Sequence, residues 1–282
     1  MPSIAQLLTP TEIRRLLREH GLAPRRAAGQ NFVVDPNTVR RIVAAAGIAP
    51  DDVVLEIGSG LGSLTLALAE VAAEVVAVEI DAGLVDVLRS VVVDHDNVEV
   101  VHADALRCDL GAVLRDREAR LVANLPYNVA TPLVFHTLAC PKIRDAFVMV
   151  QREVGERWAA RPGDRLHAGV SLKLQLLADV EVALTIPRSV FHPAPNVDSV
   201  MVRLTRRTDA PLPAEYARLA RLIEAAFGQR RKTLRNTLAG VADPEVVVAA
   251  AQEAGVDLGA RAETLSTGDV RRLEAALRAR EG

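Results

Sequence analysis

Two stretches of this 282-residue chain carry residue types that together could hold a nucleoside-like ligand and act on an amine. The first, Val53-Val54-Leu55-Glu56-Ile57-Gly58-Ser59-Gly60-Leu61-Gly62-Ser63-Leu64-Thr65, is an apolar run passing through alternate glycines into a helical pattern. Glycine lets the backbone approach a ligand closely, and the N–H groups that open a helix are free to meet a polar or anionic moiety. The spacing is GxGxG rather than GxGxxG, which argues against a pyrophosphate-bearing dinucleotide. Glu79 ends the next apolar run, 21 residues after Gly58, at the place where a carboxylate meets ribose hydroxyls in dinucleotide folds. Asp104 closes the third run, so Glu56, Gly58, Glu79 and Asp104 are expected to converge on one crevice.

The second stretch is Asn124-Leu125-Pro126-Tyr127-Asn128-Val129-Ala130-Thr131-Pro132, directly after a fourth apolar run. Pro126 fixes its own φ and biases Leu125 toward extended geometry, so nearby carbonyls are released from helical pairing. An amide, freed carbonyls and an aromatic ring side by side suit a planar, amine-bearing ring. The amide oxygen and a carbonyl accept N–H bonds while Tyr127 stacks on the face.

The elements that must position these residues follow from periodicity. Val53-Ile57, Val75-Glu79, Val98-His102, Leu121-Ala123, Ala146-Val150, Val180-Ile186 and Val200-Leu204 read as strands, and Ser63-Val71 and Ala82-Val93 have helical spacing. This alternation predicts an α/β, Rossmann-like, doubly wound and mostly parallel seven-stranded sheet, with the last two strands as an antiparallel edge hairpin. After Arg207 the proline-rich TDAPLPAE gives way to an Ala, Arg, Leu and Glu rich segment without strand pattern. The expected organisation is therefore a ligand-binding domain over 1–207, beginning with a helical extension, and a small helical domain over 208–282.

Composition sets further bounds. Half of the residues are hydrophobic and a quarter charged, which excludes a disordered or disulfide-stapled chain. The net charge of −2 hides an asymmetry: residues 51–110 carry 13 acids and two bases, for −11, against +9 elsewhere. Cys108 and Cys140 stand in no metal-binding spacing, and no metal is expected. No apolar run reaches the roughly 18 residues of a membrane span, and the opening residues lack a signal pattern, so a cytoplasmic, monomeric protein with no membrane partner is expected.

In order, Glu-Ile-Gly-Ser-Gly-Leu-Gly, Val-Glu-Ile-Asp, Asp-Ala-Leu and Asn-Leu-Pro-Tyr resemble the class I S-adenosylmethionine-dependent methyltransferases that modify adenine N6. The resemblance is closest to the small-subunit ribosomal RNA adenine dimethyltransferases. Gly29-Gln30-Asn31-Phe32 is similar to that family's amino-terminal signature, Phe191-His192-Pro193-Ala194-Pro195-Asn196-Val197-Asp198-Ser199 to its later loop, and Phe227-Gly228-Gln229-Arg230-Arg231-Lys232-Thr233-Leu234-Arg235-Asn236 to its basic segment. It departs from the family where Ala28, Val33, Ser59 and Leu166-His167 replace leucine, leucine, proline and an aromatic.

The resemblance implies S-adenosyl-L-methionine as cofactor and S-adenosyl-L-homocysteine as its product. It implies a cofactor site of Gln30, Asn31, Val33, Glu56, Gly58, Gly60, Glu79, Ile80, Asp104, Ala105 and Asn124. Asn124, Leu125, Pro126 and Tyr127 would act on the adenine amine, with Phe191 as the second face of a base clamp. Arg25, Arg26, Arg230, Arg231, Lys232 and Arg235 would hold RNA phosphates. The implied partners are 16S rRNA and the small ribosomal subunit precursor. Three other readings stand beside it: an Erm-type methyltransferase of large-subunit rRNA, a ribosome-assembly factor without turnover, and a nicotinamide oxidoreductase, the last lacking GxGxxG.

Overall fold

The computed structural model describes residues 7–25 and 29–280. Nine strands form among them: β1 (Phe32–Val33), β2 (Val53–Ile57), β3 (Glu74–Glu79), β4 (Val98–His102), β5 (Ala119–Asn124), β6 (Ile143–Gln151), β7 (Ala178–Ile186), β8 (Phe191–His192) and β9 (Ser199–Arg206). Seven of them make one sheet in the order β4-β3-β2-β5-β6-β9-β7. β2, β3, β4, β5 and β6 run parallel through their successive pairings, and β9 is antiparallel to β6. The expected doubly wound sheet is thus formed, with β9 inserted between β6 and the edge strand β7. β1 and β8 form a separate antiparallel ribbon that pairs Phe32 with His192 and Val33 with Phe191.

The central strands are largely apolar on both faces because helices cover both faces of a parallel sheet. β3 is buried over five of its six residues. The helices start where the sequence supplies acceptors. Asp35 caps Pro36–Ala46 by accepting the Thr38 N–H, and Gly47 ends that helix in the left-handed region. Asp81 caps Ala82–Val91 through the Gly83 and Leu84 N–H groups. At the opposite edge from the strands' carboxyl ends, Arg120 donates to the Ala46 and Gly47 carbonyls and pairs with Asp52 and Asp145, fastening the Pro36–Ala46 helix to the sheet.

The chain divides into two compact units, residues 1–155 with 181–205 and residues 156–180 with 206–282. The helical unit therefore takes in a segment ahead of the 208–282 boundary expected from composition. The reason is apolar: Leu172 and Leu176 are buried in one core with Leu219, Leu222, Ile223, Leu234, Val247 and Leu273. That core is built by Gly169–Gln175, Pro213–Phe227, Leu234–Thr237, Pro244–Ala254 and Thr267–Arg278. Ser266 and Asp269 close the last helix's start with a reciprocal capping box. No helix among the described residues is long and apolar enough to cross a membrane.

Candidate functional site

The carboxyl ends of β2, β3, β4 and β5 open onto a cavity of 660 Å³. Its walls include Gln30, Asn31, Gly58, Gly60, Glu79, Ile80, Asp104, Ala105 and Asn124, so nine of the eleven expected cofactor residues meet there. Parallel strands bring these ends together at the sheet's switch point, where β3 and β5 flank β2.

Glu79 organises the floor. Its carboxylate is buried at 5% exposure. One oxygen accepts the Gly60 N–H at 2.9 Å, and the other accepts the Ile80 and Asp81 N–H groups at 2.9 Å each. Gly60 meets this need for a reason specific to its position. Its φ is +58°, and a Cβ there would lie 3.0 Å from the Phe32 ring, so a larger residue would break both the turn and the packing. Asp104 uses one oxygen to accept the Leu106 N–H at 2.9 Å, while the other faces the largely exposed Arg107 at 3.5 Å.

Two expected cofactor residues stand elsewhere. Glu56 and Val33 do not line the large cavity; they line a 40 Å³ cavity behind the glycine turn. Alternation puts Glu56 on the same face of β2 as Gly58 but two residues, about 7 Å, back from the strand's carboxyl end, so it lies in the layer beneath the turn. There Thr65 Oγ1 donates to Glu56 at 2.5 Å. Burial pushes the Glu56 carboxyl up to about 7, with the Thr65 and Ser59 hydroxyls opposing the shift and the nearby Glu79 adding to it.

The Asn124–Tyr127 loop is clamped from two sides. Asn124 Nδ2 donates to the Asn31 carbonyl at 3.0 Å, and the Leu125 N–H donates to the Met149 carbonyl at 3.2 Å. Gly29, at φ +70°, fits against the loop so tightly that a Cβ would come within 3.3 Å of Pro126 and the Tyr127 nitrogen. The Pro126 carbonyl already accepts the Val129 N–H at 3.1 Å, which leaves Leu125 as the loop's freer carbonyl. Tyr127 is half-buried, and its hydroxyl is 2.7 Å from Ser199 Oγ. Burial pushes its phenol up, against the Ser199 hydrogen bond, so the ring stays neutral.

Tyr127 faces a second cavity, of 360 Å³, with Gln151, Ala194, Pro195 and Asn196. The two cavities share Gly29, Asn31 and Asn128 as a common wall. Phe191, expected as a stacking ring, lines neither. It is 4% exposed because its pairing with Val33 turns it into the core.

The basic residues divide in the same way. Arg25 lines the rim of the large cavity, where its side chain is 65% exposed and pairs with Asp81. Arg26 and Ala28 lie outside the described residues. Arg230, Arg231, Lys232 and Arg235 are all exposed in the helical unit. His167 serves that unit's interior: 2% exposed, it places Nδ1 2.9 Å from the Glu263 carbonyl and sets its ring edge-on to Phe227. Burial holds its pKa below the usual histidine value, against the opposing influence of Glu263 and Asp164.

Sequence reasoning missed Asp81, Asn128 and Gln151. Asp81 was visible as the residue before a helix, but its second role toward Arg25 needs the fold. Asn128 and Gln151 follow directly from strand or loop ends, which was the one available signal.

The model of the ribosomal RNA adenine dimethylase family matches residues 22–278. A ribosomal RNA small subunit methyltransferase A from Thermobifida fusca is 49% identical over 276 residues, covering 95% of this chain and 96% of its own length. Its counterpart from Leifsonia xyli subsp. xyli is 46% identical over 278 residues, covering 96% and 98%. Among solved structures, the 23S rRNA methyltransferase ErmE superposes with TM-score 0.70 at 30% identity, over 88% of this chain and 99% of that one. A dimethyladenosine transferase from Plasmodium falciparum shares the fold at TM-score 0.76 and 24% identity, over 86% and 95%. A match that spans both compact units and nearly all of the described residues leaves one conclusion: the chain belongs to the ribosomal RNA adenine dimethylase family.

Proposed function

We propose that the protein transfers methyl groups from S-adenosylmethionine to N6 of two adjacent adenosines in the 3′-terminal hairpin of small-subunit (16S) rRNA, releasing S-adenosylhomocysteine, during assembly of the small subunit. The observation that carries this reading is the Asn124–Tyr127 loop, which stands where the 660 Å³ and 360 Å³ cavities share a wall. One cavity suits a nucleoside-bearing cofactor and the other a flipped base.

The residues present fit the cofactor. A carboxylate offers about four lone-pair sites, and Glu79 spends three on backbone N–H groups, so it retains capacity for a ribose hydroxyl. The Asp104 oxygen directed toward exposed Arg107 is the acceptor for an adenine amine. When bound, S-adenosylmethionine supplies an electrophilic sulfonium methyl.

The chain's own contribution is positional, since an in-line approach of the amine to the methyl needs no covalent nucleophile. Asn124 gives its N–H to Asn31, so its Oδ1 is directed to accept from the adenine N6. The Leu125 carbonyl takes the second N6 hydrogen. Two acceptors favour a pyramidal nitrogen and stabilise the positive charge that develops on it. Tyr127 stacks on the extruded base and returns part of the cost of unstacking. The product ammonium is acidic and gives its proton to water, so no side chain is needed as a base.

The small subunit is favoured over the large by the relatives: those 44–49% identical are small-subunit methyltransferases, while ErmE stands at 30%. Exposed Arg230, Arg231, Lys232 and Arg235 supply the phosphate-binding charge. A cytoplasmic, monomeric enzyme is part of the same reading. Incubation with labelled cofactor and either small or large ribosomal particles tests it. Label is expected in small-subunit RNA, and label confined to large-subunit RNA would overturn the assignment.

A further inference from the structure

The wall of the 360 Å³ cavity carries four carboxamides: Asn31, Asn128, Gln151 and Asn196. They are not equivalent. Asn31 spends its Nδ2 on the Gly29 carbonyl at 3.2 Å, and Asn128 and Asn196 are exposed on loops. Gln151 is half-buried, closes strand β6, and makes no side-chain hydrogen bond among the described residues. In register it stands opposite Ser199, the residue whose hydroxyl holds the Tyr127 phenol. The stacking ring and this open amide are therefore fixed by the same strand pair, which gives Gln151 a placement that a loop residue lacks.

Resting on the reading that this cavity receives the target adenine, we propose that Gln151 is the in-plane anchor of the base and that the second methyl transfer depends on it more than the first. A base held by stacking on Tyr127 is free to rotate in its own plane, because a π face has no preferred in-plane direction. In the first transfer, two N6 hydrogens bond Asn124 Oδ1 and the Leu125 carbonyl and stop that rotation. Once N6 carries one methyl, a single N–H remains, and one of the two acceptors goes unmet. A hydrogen bond from Gln151 Nε2 to a ring nitrogen then supplies the missing fixed point. Adenine's ring nitrogens are acceptors, so a donor is required.

The test uses the full chain, small ribosomal particles and nucleoside mass spectrometry, which separates N6-methyladenosine from N6,N6-dimethyladenosine. Gln151→Ala is expected to raise the ratio of monomethyl to dimethyl product by about tenfold, the scale of one lost hydrogen bond. Gln151→Glu nearly preserves shape but cannot donate when ionised, and it is expected to raise the ratio as much. Cofactor affinity by calorimetry should stay at the wild-type value in both, since Gln151 does not line the cofactor cavity. A wild-type product ratio in both variants, or in Gln151→Glu alone, would overturn the proposal, the latter by showing that bulk suffices. If Gln151→Ala loses cofactor affinity through misfolding, Gln151→Glu decides the matter. Failure of the underlying function looks different: wild-type protein would then leave small-subunit RNA unlabelled.

Discussion

Asn124 Nδ2 donates to the Asn31 backbone carbonyl at 3.0 Å. One hydrogen bond from the GQNF segment thus decides which end of the Asn124 amide is offered to a ligand. An amide whose nitrogen is committed presents its oxygen, the atom needed to accept an adenine N–H.

Asn124→Ala removes that acceptor and leaves the Asn31 carbonyl unpaired. Loss of one preorganised group aimed at developing charge costs about 10²–10³ in rate. Single-turnover methyl transfer is expected to fall by that amount, and retention of full methylation would remove Asn124 from the mechanism.

Glu79→Gln tests the floor of the cofactor cavity. The substitution replaces one acceptor oxygen with a donor in a buried site already facing three N–H groups. The mismatch is expected to cost about 1–3 kcal/mol in stability. It should also weaken S-adenosylmethionine binding at least about tenfold, as one charge-assisted hydrogen bond is worth that much. Calorimetry and thermal unfolding read the two effects separately.

Glu56 gives the protein a pH signature. Its carboxyl titrates at about 7 when folded and at the ordinary 4.5 when unfolded, mainly because burial disfavours the charge. Between these values the folded state binds more protons than the unfolded state, so this contribution to stability is full below about 4.5 and is lost as pH rises through about 7. Glu56→Gln is expected to remove that decline. Paired unfolding curves from pH 4.5 to about 8 check it, and parallel pH profiles for the two proteins would contradict it.

Arg230→Ala/Arg231→Ala tests the exposed basic segment of the helical unit. If these side chains neutralise phosphates, RNA binding weakens for all sequences and the plot of log affinity against log salt flattens by about 0.7–0.9 for each phosphate no longer neutralised. An unchanged slope would discard the assignment.

The sheet was legible because each central strand carries a short apolar run, closed by glycine in β2 and by a polar residue in β3, β4, β5 and β6. Val53–Ile57 and Val98–His102 match the observed limits, and the others extend further where pairing with neighbours carries a strand past its apolar stretch. Glu79, Asp104 and Asn124 were legible for a related reason: they stand at strand ends, and parallel strands bring their carboxyl ends to one edge. The two-residue ribbon of β1 and β8 was not, because Phe32–Val33 and Phe191–His192 are too short to show alternation and stand far apart along the chain. That hidden pairing is what buries Phe191. The type of Glu56 and its place in the glycine motif are visible in sequence, while its depth beneath the turn, in the smaller cavity, is not. The pairing of Arg25 with Asp81 was hidden likewise, because the two stand 56 residues apart along the chain.

The most direct test of the account is the methylation state of the 3′-terminal hairpin of small-subunit rRNA in cells lacking this protein. Mass spectrometry of that fragment is expected to find two unmodified adjacent adenosines, restored to N6,N6-dimethyladenosine by the wild-type chain and not by Asn124→Ala. Dimethyladenosines that persist at both positions without the protein would contradict it.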